Sequence, residues 1–283
     1  MLDSPGSPQG QCRPSVVVAV SLIQMGIGVP ESVSATSASS LDAASKQRRI
    51  YKWLSGFMFG GVILGFAPTF LLSPVFQTER LPTYLVLHGT ILTIWFGTFF
   101  LQSSLVAARQ VHIHRRLGTV AAYLSVLVVL GSCLAPFYFV SRRVQQGIDV
   151  ETIVSSGAAV ISLNLGMLVA FLAFFSLAIA YRNRGQTHKR LMLFAFISLF
   201  VPAASRISNL PIYLFDAERG FGPAFTLALV ACLPIALCIS DFIFRGKVHR
   251  VSVFGFLVLI AMFAGSGFMS QTELIGSLIR SLA

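Results

Sequence analysis

The sequence predicts an all-α fold: a polytopic transmembrane helix bundle of seven spans with a cytoplasmic N-terminus. Three observations predict it. The 283 residues are 55% hydrophobic and only 11% charged, against roughly 25% charged in an ordinary soluble domain, and mean hydropathy is +0.80. Apolar runs of bilayer-spanning length recur seven times between short polar loops. The Lys and Arg residues also alternate by side. Fourteen fall in residues 46–52, 109–116, 182–190 and 245–250, and only four (Arg80, Arg142, Arg143 and Arg219) fall in the intervening loops. The positive-inside rule assigns the fourteen to the cytoplasm. The net charge of +11 is thereby explained by topology, and no nucleic-acid partner is expected.

Residues 1–45 are rich in Ser, Gly, Pro and Ala, with one apolar run from Ser15 to Val29. That run is the size of a signal-peptide core, but cleavage after it would leave Lys46, Arg48, Arg49 and Lys52 on the wrong side. A disordered or mis-started leader fits better. The transmembrane domain is expected over 46–273, with a short tail at 274–283. The spans run about 50–72, 82–108, 117–140, 156–181, 189–214, 223–244 and 251–270. The first holds Gly56, Gly60, Gly61 and Gly65 in small-xxx-small spacing, which lets helices approach closely, and Pro68 should kink its end. Three of the four cysteines, Cys133, Cys232 and Cys238, lie in apolar spans without CxxC spacing. They read as small buried apolar residues rather than as a disulfide framework.

The stretch Tyr84–Gly118 is expected to organise the bundle. Within it His88, Trp95, Gln102 and Arg109 recur every seven residues, nearly two helical turns, and so form one slowly drifting stripe. Polar side chains in a span face protein or water rather than lipid, so the stripe should point inward.

Two candidate sites emerge, one at each end. The basic loops resemble one another: ARQVHIHRRLG (108–118), YRNRGQTHKRLM (181–192) and FRGKVHRVS (244–252). If they converge, His112 or His114 with His188 and His249 could ligate a divalent metal, or two of them a haem iron. Asp241, about one turn inside that face, would be a further ligand. The alternative is headgroup contact by the loops, with Asp241 paired to Arg245 at i,i+4. Cations flanking each His oppose metal binding.

At the other end His88, Asn164, Arg206 and Asn209 lie at similar depth, within roughly two turns of their spans' outer ends. An Arg in a span turns to the bundle interior, water or a partner. Arg206 could therefore bind an anionic or carbonyl-bearing ligand such as a quinone, with His88 and the two Asn as hydrogen-bond partners and Trp95 as floor. Pro202 should expose backbone there. The alternatives are an interfacial Arg anchor and ordinary interhelical amide bonds.

The combination HG(x5)W(x6)Q(x2)LV(x7)HRRLG at 88–118, THKRLM at 187–192 and D(x7)H at 241–249 resembles a family of uncharacterised bacterial multi-spanning membrane proteins over about residues 50–270. The resemblance implies an inner-membrane location and no particular activity. A weaker likeness is to small b-type membrane cytochromes, with His near helix ends. A fainter one is to the zinc-dependent membrane hydrolases of the ceramidase and progestin-receptor group, whose clustered His motif is absent. The chain also lacks GxxxxGK[ST], GxSxG and HExxH, which argues against ATP-driven transport and serine or zincin proteolysis. The expected function is a haem- or metal-linked membrane redox component with an outer small-ligand pocket. A transporter or sensor, or a structural partner of a membrane complex, stands as the alternative.

Overall fold

The computed structural model describes residues 31–76 and 81–283, with side chains from Asp42 onward. The leader's apolar run lies outside the described residues. The unit Arg48–Ala283 contains the helix bundle.

Nine α-helices run in chain order among the described residues: α1 (Glu31–Phe66), α2 (Thr83–Ala107), α3 (Val111–Gln145), α4 (Val150–Ala180), α5 (Gly185–Ser208), α6 (Leu210–Phe215), α7 (Pro223–Arg245), α8 (Arg250–Met269) and α9 (Glu273–Leu282). Seven segments are long and apolar enough to cross a membrane. The protein is an all-α, multi-pass membrane bundle.

Differences from expectation concern boundaries and the centre. The helix of α1 already begins at Glu31, inside the expected disordered leader. At Pro68 the ladder slips into a π-helical turn, Ala67–Leu71, because proline lacks the N–H and its ring displaces a carbonyl. Helix α3 starts at Val111, six residues before the expected span, since VHIHRR contains no helix breaker. Helix α4 starts at Val150, where the Asp149 carboxylate accepts from the N–H groups of Glu151 (3.0 Å) and Thr152 (3.3 Å), a side-chain N-cap. The tail is a helix, α9, which buries Ile275, Gly276 and Ile279 against Val140, Ile153 and Ile161. Arg280 binds Glu151 through both carboxylate oxygens at 2.8 and 3.0 Å, and these bonds favour its charged form.

The centre is α5, not α2. In the apolar window of Gly185–Phe215, 72% of residues are buried, against 17% in that of α2. Helix α5 packs on α4, α7 and α8, and its Phe196 lies in a stack with Phe99 (ring centres 3.9 Å) and Trp95 (4.9 Å). The glycine spacing of α1 serves this helix: a Cβ at Gly65 would stand 2.6 Å from the carbonyl oxygen of Ala203. The inward stripe holds for three of its four members. Trp95 and Gln102 are buried and His88 is half-buried, but Arg109 is exposed beyond the helix end at φ 62°.

Candidate functional site

The three basic loops do meet at one end of the bundle. Arg190, one and a half turns into α5, and Asp241, in the last turn of α7, are both fully buried. The guanidinium grips the carboxylate with two nitrogens, Nε to Oδ2 at 3.1 Å and Nη2 to Oδ1. Nε also donates to Ser252 Oγ at 3.1 Å, and that hydroxyl donates to Asp241 Oδ2 at 2.6 Å. Nη1 donates to the Gln186 carbonyl at 2.6 Å and to its side-chain oxygen at 2.9 Å. Arg245 reaches the same Gln186 oxygen at 2.9 Å. The network therefore ties α5, α7 and α8 together with every Arg190 nitrogen hydrogen-bonded, the condition under which a buried charge pair is tolerated.

Around it the loop histidines take separate posts. The backbone N–H of His249 donates to Asp241 Oδ2 at 3.3 Å. Its Nδ1 accepts from Val251 N–H at 3.1 Å and caps α8, a role that requires the neutral ring. Burial, then the guanidiniums of Arg190 and Arg245, hold its pKa below the usual imidazole range. His188 Nδ1 lies 2.8 Å from the Ala178 carbonyl, an acceptor only, so that nitrogen carries the proton. Gln102, in the amide orientation that satisfies both neighbours, donates to His114 Nδ1 and accepts from Gly118 N–H at 2.9 Å. His114 and His188 are near enough for their charges to interact, whereas His112 is exposed.

Among the described residues no three His, Cys, Asp or Glu side chains form a metal-holding group. The expected set of His112, His114, His188, His249 and Asp241 is thus not assembled as a ligand sphere, and Asp241 pairs with Arg190 rather than with Arg245. What does assemble as a pair is His114 with His188.

At the opposite end Arg206 is near enough to His88 for the guanidinium charge to act on the ring. His88 packs on α3, where a Cβ at Gly131 would meet its Nδ1 at 2.7 Å, so the glycine makes room for the imidazole. Among the described residues that Nδ1 is buried without a hydrogen-bond partner, as is Nε1 of Trp95, two turns along the same stripe. Arg206 donates to the Pro202 carbonyl at 3.1 Å and lies 4.2 Å from the Phe66 ring centre, a cation–π contact. Helix α5 continues through Pro202, and the carbonyl that takes Arg206 is the prolyl residue's own. Asn164 turns back on its own helix, donating to Val160 O at 2.9 Å. Asn209 is exposed at the end of α5. Of the expected set, His88 lies within range of the Arg206 charge and shares its stripe with Trp95, while the two amides turn elsewhere.

Arg190, Gln186 and Ser252 carry the basic-end network, and none of them belongs to the expected site. One signal in the sequence points to Arg190: it shares a helical face with the apolar residues Phe194, Ile197 and Val201 (i+4, i+7, i+11), all buried.

Neither a protein-family model, nor a curated protein, nor a solved structure matches this chain. The reading of function rests on the geometry.

Proposed function

We propose that this is a multi-pass inner-membrane protein, N-terminus inside, that binds a small carbonyl- or carboxylate-bearing molecule of quinone-like chemistry between α2, α3 and α5. The observation that carries the reading is a pair of buried nitrogens on one face of α2 with no hydrogen-bond partner among the described residues, Trp95 Nε1 and His88 Nδ1, the latter within range of the Arg206 charge. A buried polar atom without a partner costs about 1–3 kcal/mol, and a ligand oxygen would supply the missing partner. Arg206 offers charge to an anionic oxygen, and Gly131, having no Cβ, lets the imidazole pack against α3.

The test is fluorescence. The chain has two tryptophans, Trp53 and Trp95, and Trp53 is exposed, so Trp53→Phe leaves Trp95 as the reporter. Titration with a short-chain benzoquinone should quench it saturably, and His88→Ala or Arg206→Ala should weaken binding roughly tenfold or more, the loss of one charge-assisted bond. Non-saturable quenching, or saturable quenching indifferent to both substitutions, would overturn the reading.

A second reading, a redox component, draws support from the closeness of His114 and His188. His188, whose Nδ1 proton goes to the Ala178 carbonyl, would present Nε2 to a haem iron in the manner of a ligand oriented by an outer hydrogen bond, and His114 would do so once its Nδ1 rather than its Nε2 carries the proton. A Soret band that shifts with dithionite and disappears in His188→Ala would support it. A featureless spectrum ends it.

A further inference from the structure

A groove of about 430 Å³ runs between α4 and α8, with Ile275 of α9 at its edge. Its walls are apolar, among them Leu165, Val169, Val258 and Met262, except for two hydroxyls, Ser162 and Ser266. Both serines are more than nine-tenths buried, at 3% and 7% exposure. Neither hydroxyl has a hydrogen-bond partner among the described residues. Ser104 and Ser240 share this state elsewhere in the bundle, but most described serines do not. Ser155, Ser156, Ser198, Ser270 and Ser277 each return their hydroxyl to a carbonyl three or four residues back, the ordinary fate of a helical serine. Gly166 faces Ser266 Oγ so closely that a Cβ there would collide with it, and it stands one turn from Ser162. The two hydroxyls therefore border the same stretch of groove.

Three features identify the occupant. The groove opens toward the lipid side, since Val169 on its wall is 65% exposed. Ser266 stands three residues before the end of α8 at Met269, or about 4.5 Å of helix rise, so the hydroxyls lie near the membrane boundary rather than at its centre. Helix α9 buries Ile275 and Ile279 against the bundle while leaving Leu274 exposed at 64%, the habit of a helix lying in the interface. At that depth the polar atoms a membrane offers are the ester carbonyls of its glycerolipids. We propose that the groove is a binding site for a diacyl glycerolipid, with an acyl chain along the apolar wall and an ester carbonyl accepting from Ser162 and Ser266. The site is separate from His88 and Arg206 and does not depend on the function proposed for them.

The experiment compares a diester phosphatidylcholine with its diether analogue of equal chain length. The ether lipid keeps the chains and headgroup and lacks the carbonyls. Each is titrated into the detergent-purified full chain, and bound lipid is read by native mass spectrometry. The diester should bind roughly tenfold more tightly, two neutral hydrogen bonds at about 1 kcal/mol each less some loss of mobility. Ser162→Ala with Ser266→Ala should erase the preference, and His88→Ala should leave it intact. Gly265→Leu should lower binding of both lipids, because that position lines the groove and a Cβ there meets nothing within 4 Å. Equal binding of diester and diether by the unaltered protein would overturn the proposal, and so would a preference that survives in the double variant. If the double variant does not fold, Ser266→Ala alone with the two-lipid comparison decides.

Discussion

The central polar side chains at the two ends of this bundle are buried in opposite ways, although at the basic end Arg48 Nε and Tyr51 Oη also lack a hydrogen-bond partner among the described residues. At the basic end Arg190 and Asp241 are a full charge pair at zero exposure, with Ser252, Gln186 and the His249 backbone completing their hydrogen bonds. At the other end His88 Nδ1 and Trp95 Nε1 are buried and have no hydrogen-bond partner among the described residues. Buried polar groups are expensive wherever they lie, so the difference teaches where to look for structure and where for ligand. A satisfied network already has its partners and acts as a tie between helices. Unsatisfied nitrogens are where the proposed ligand would find its hydrogen-bond donors.

The largest expected effect separates those roles at the basic end. Asp241→Ala leaves Arg190 buried and unpaired, which typically costs about 3–5 kcal/mol. For a chain of this size that corresponds to roughly 10 °C in the detergent unfolding midpoint. Arg190→Met combined with Asp241→Leu removes both charges together and should recover most of the loss, because well-packed apolar replacement of a buried pair is often neutral. If the double substitution is as damaging as the single one, the pair has a role beyond tying α5 to α7.

The other end should answer differently. His88→Leu removes a nitrogen that has no hydrogen-bond partner among the described residues and puts an apolar group in its place. Its effect on the unfolding midpoint should stay within about 1 kcal/mol of zero, of either sign, while quinone binding falls. A destabilisation as large as that of Asp241→Ala would mean that His88 has a structural partner, and the contrast between the ends would collapse.

Much of the bundle is legible in the residues alone. Hydropathy locates the seven spans because an apolar run of twenty residues has few other uses, and charge counting places Arg190, His249 and His114 at one end. The heptad stripe turns Trp95 and Gln102 inward, as expected. What stays hidden is helix order. Arg190 and Asp241 are 51 residues apart, and hydropathy does not encode which span lies beside which. For the same reason the polar stripe of α2 points to the wrong centre. That place belongs to α5, whose runs of small and aromatic residues are buried on nearly every face from Leu191 to Val201. The α9 helix escapes a hydropathy reading for another reason. Its apolar residues Leu274, Ile275, Leu278, Ile279 and Leu282 follow the i, i+1, i+4 pattern of an amphipathic face, but ten residues are too few to register against twenty-residue spans.

The smallest expected effect concerns pH, and it sharpens the basic end. His249 caps α8 through a neutral Nδ1, and burial with Arg190 and Arg245 nearby lowers its pKa, against a partial counterweight from Asp241 and a further push from Lys189. The unfolded chain, with an imidazole pKa near 6.5, then takes up the proton more readily than the folded one. Stability is full above about pH 6.5 and declines as pH falls below it toward the folded value, because protonation favours the unfolded state and removes the cap acceptor. Unfolding midpoints at pH 7.5 and 5.5 should therefore differ more in the natural protein than in His249→Asn, whose amide oxygen can still accept from Val251 N–H and does not titrate. Equal pH dependence in the two proteins would mean that the imidazole is already charged in the folded state, and that α8 is capped by the His249 backbone contact to Asp241 alone.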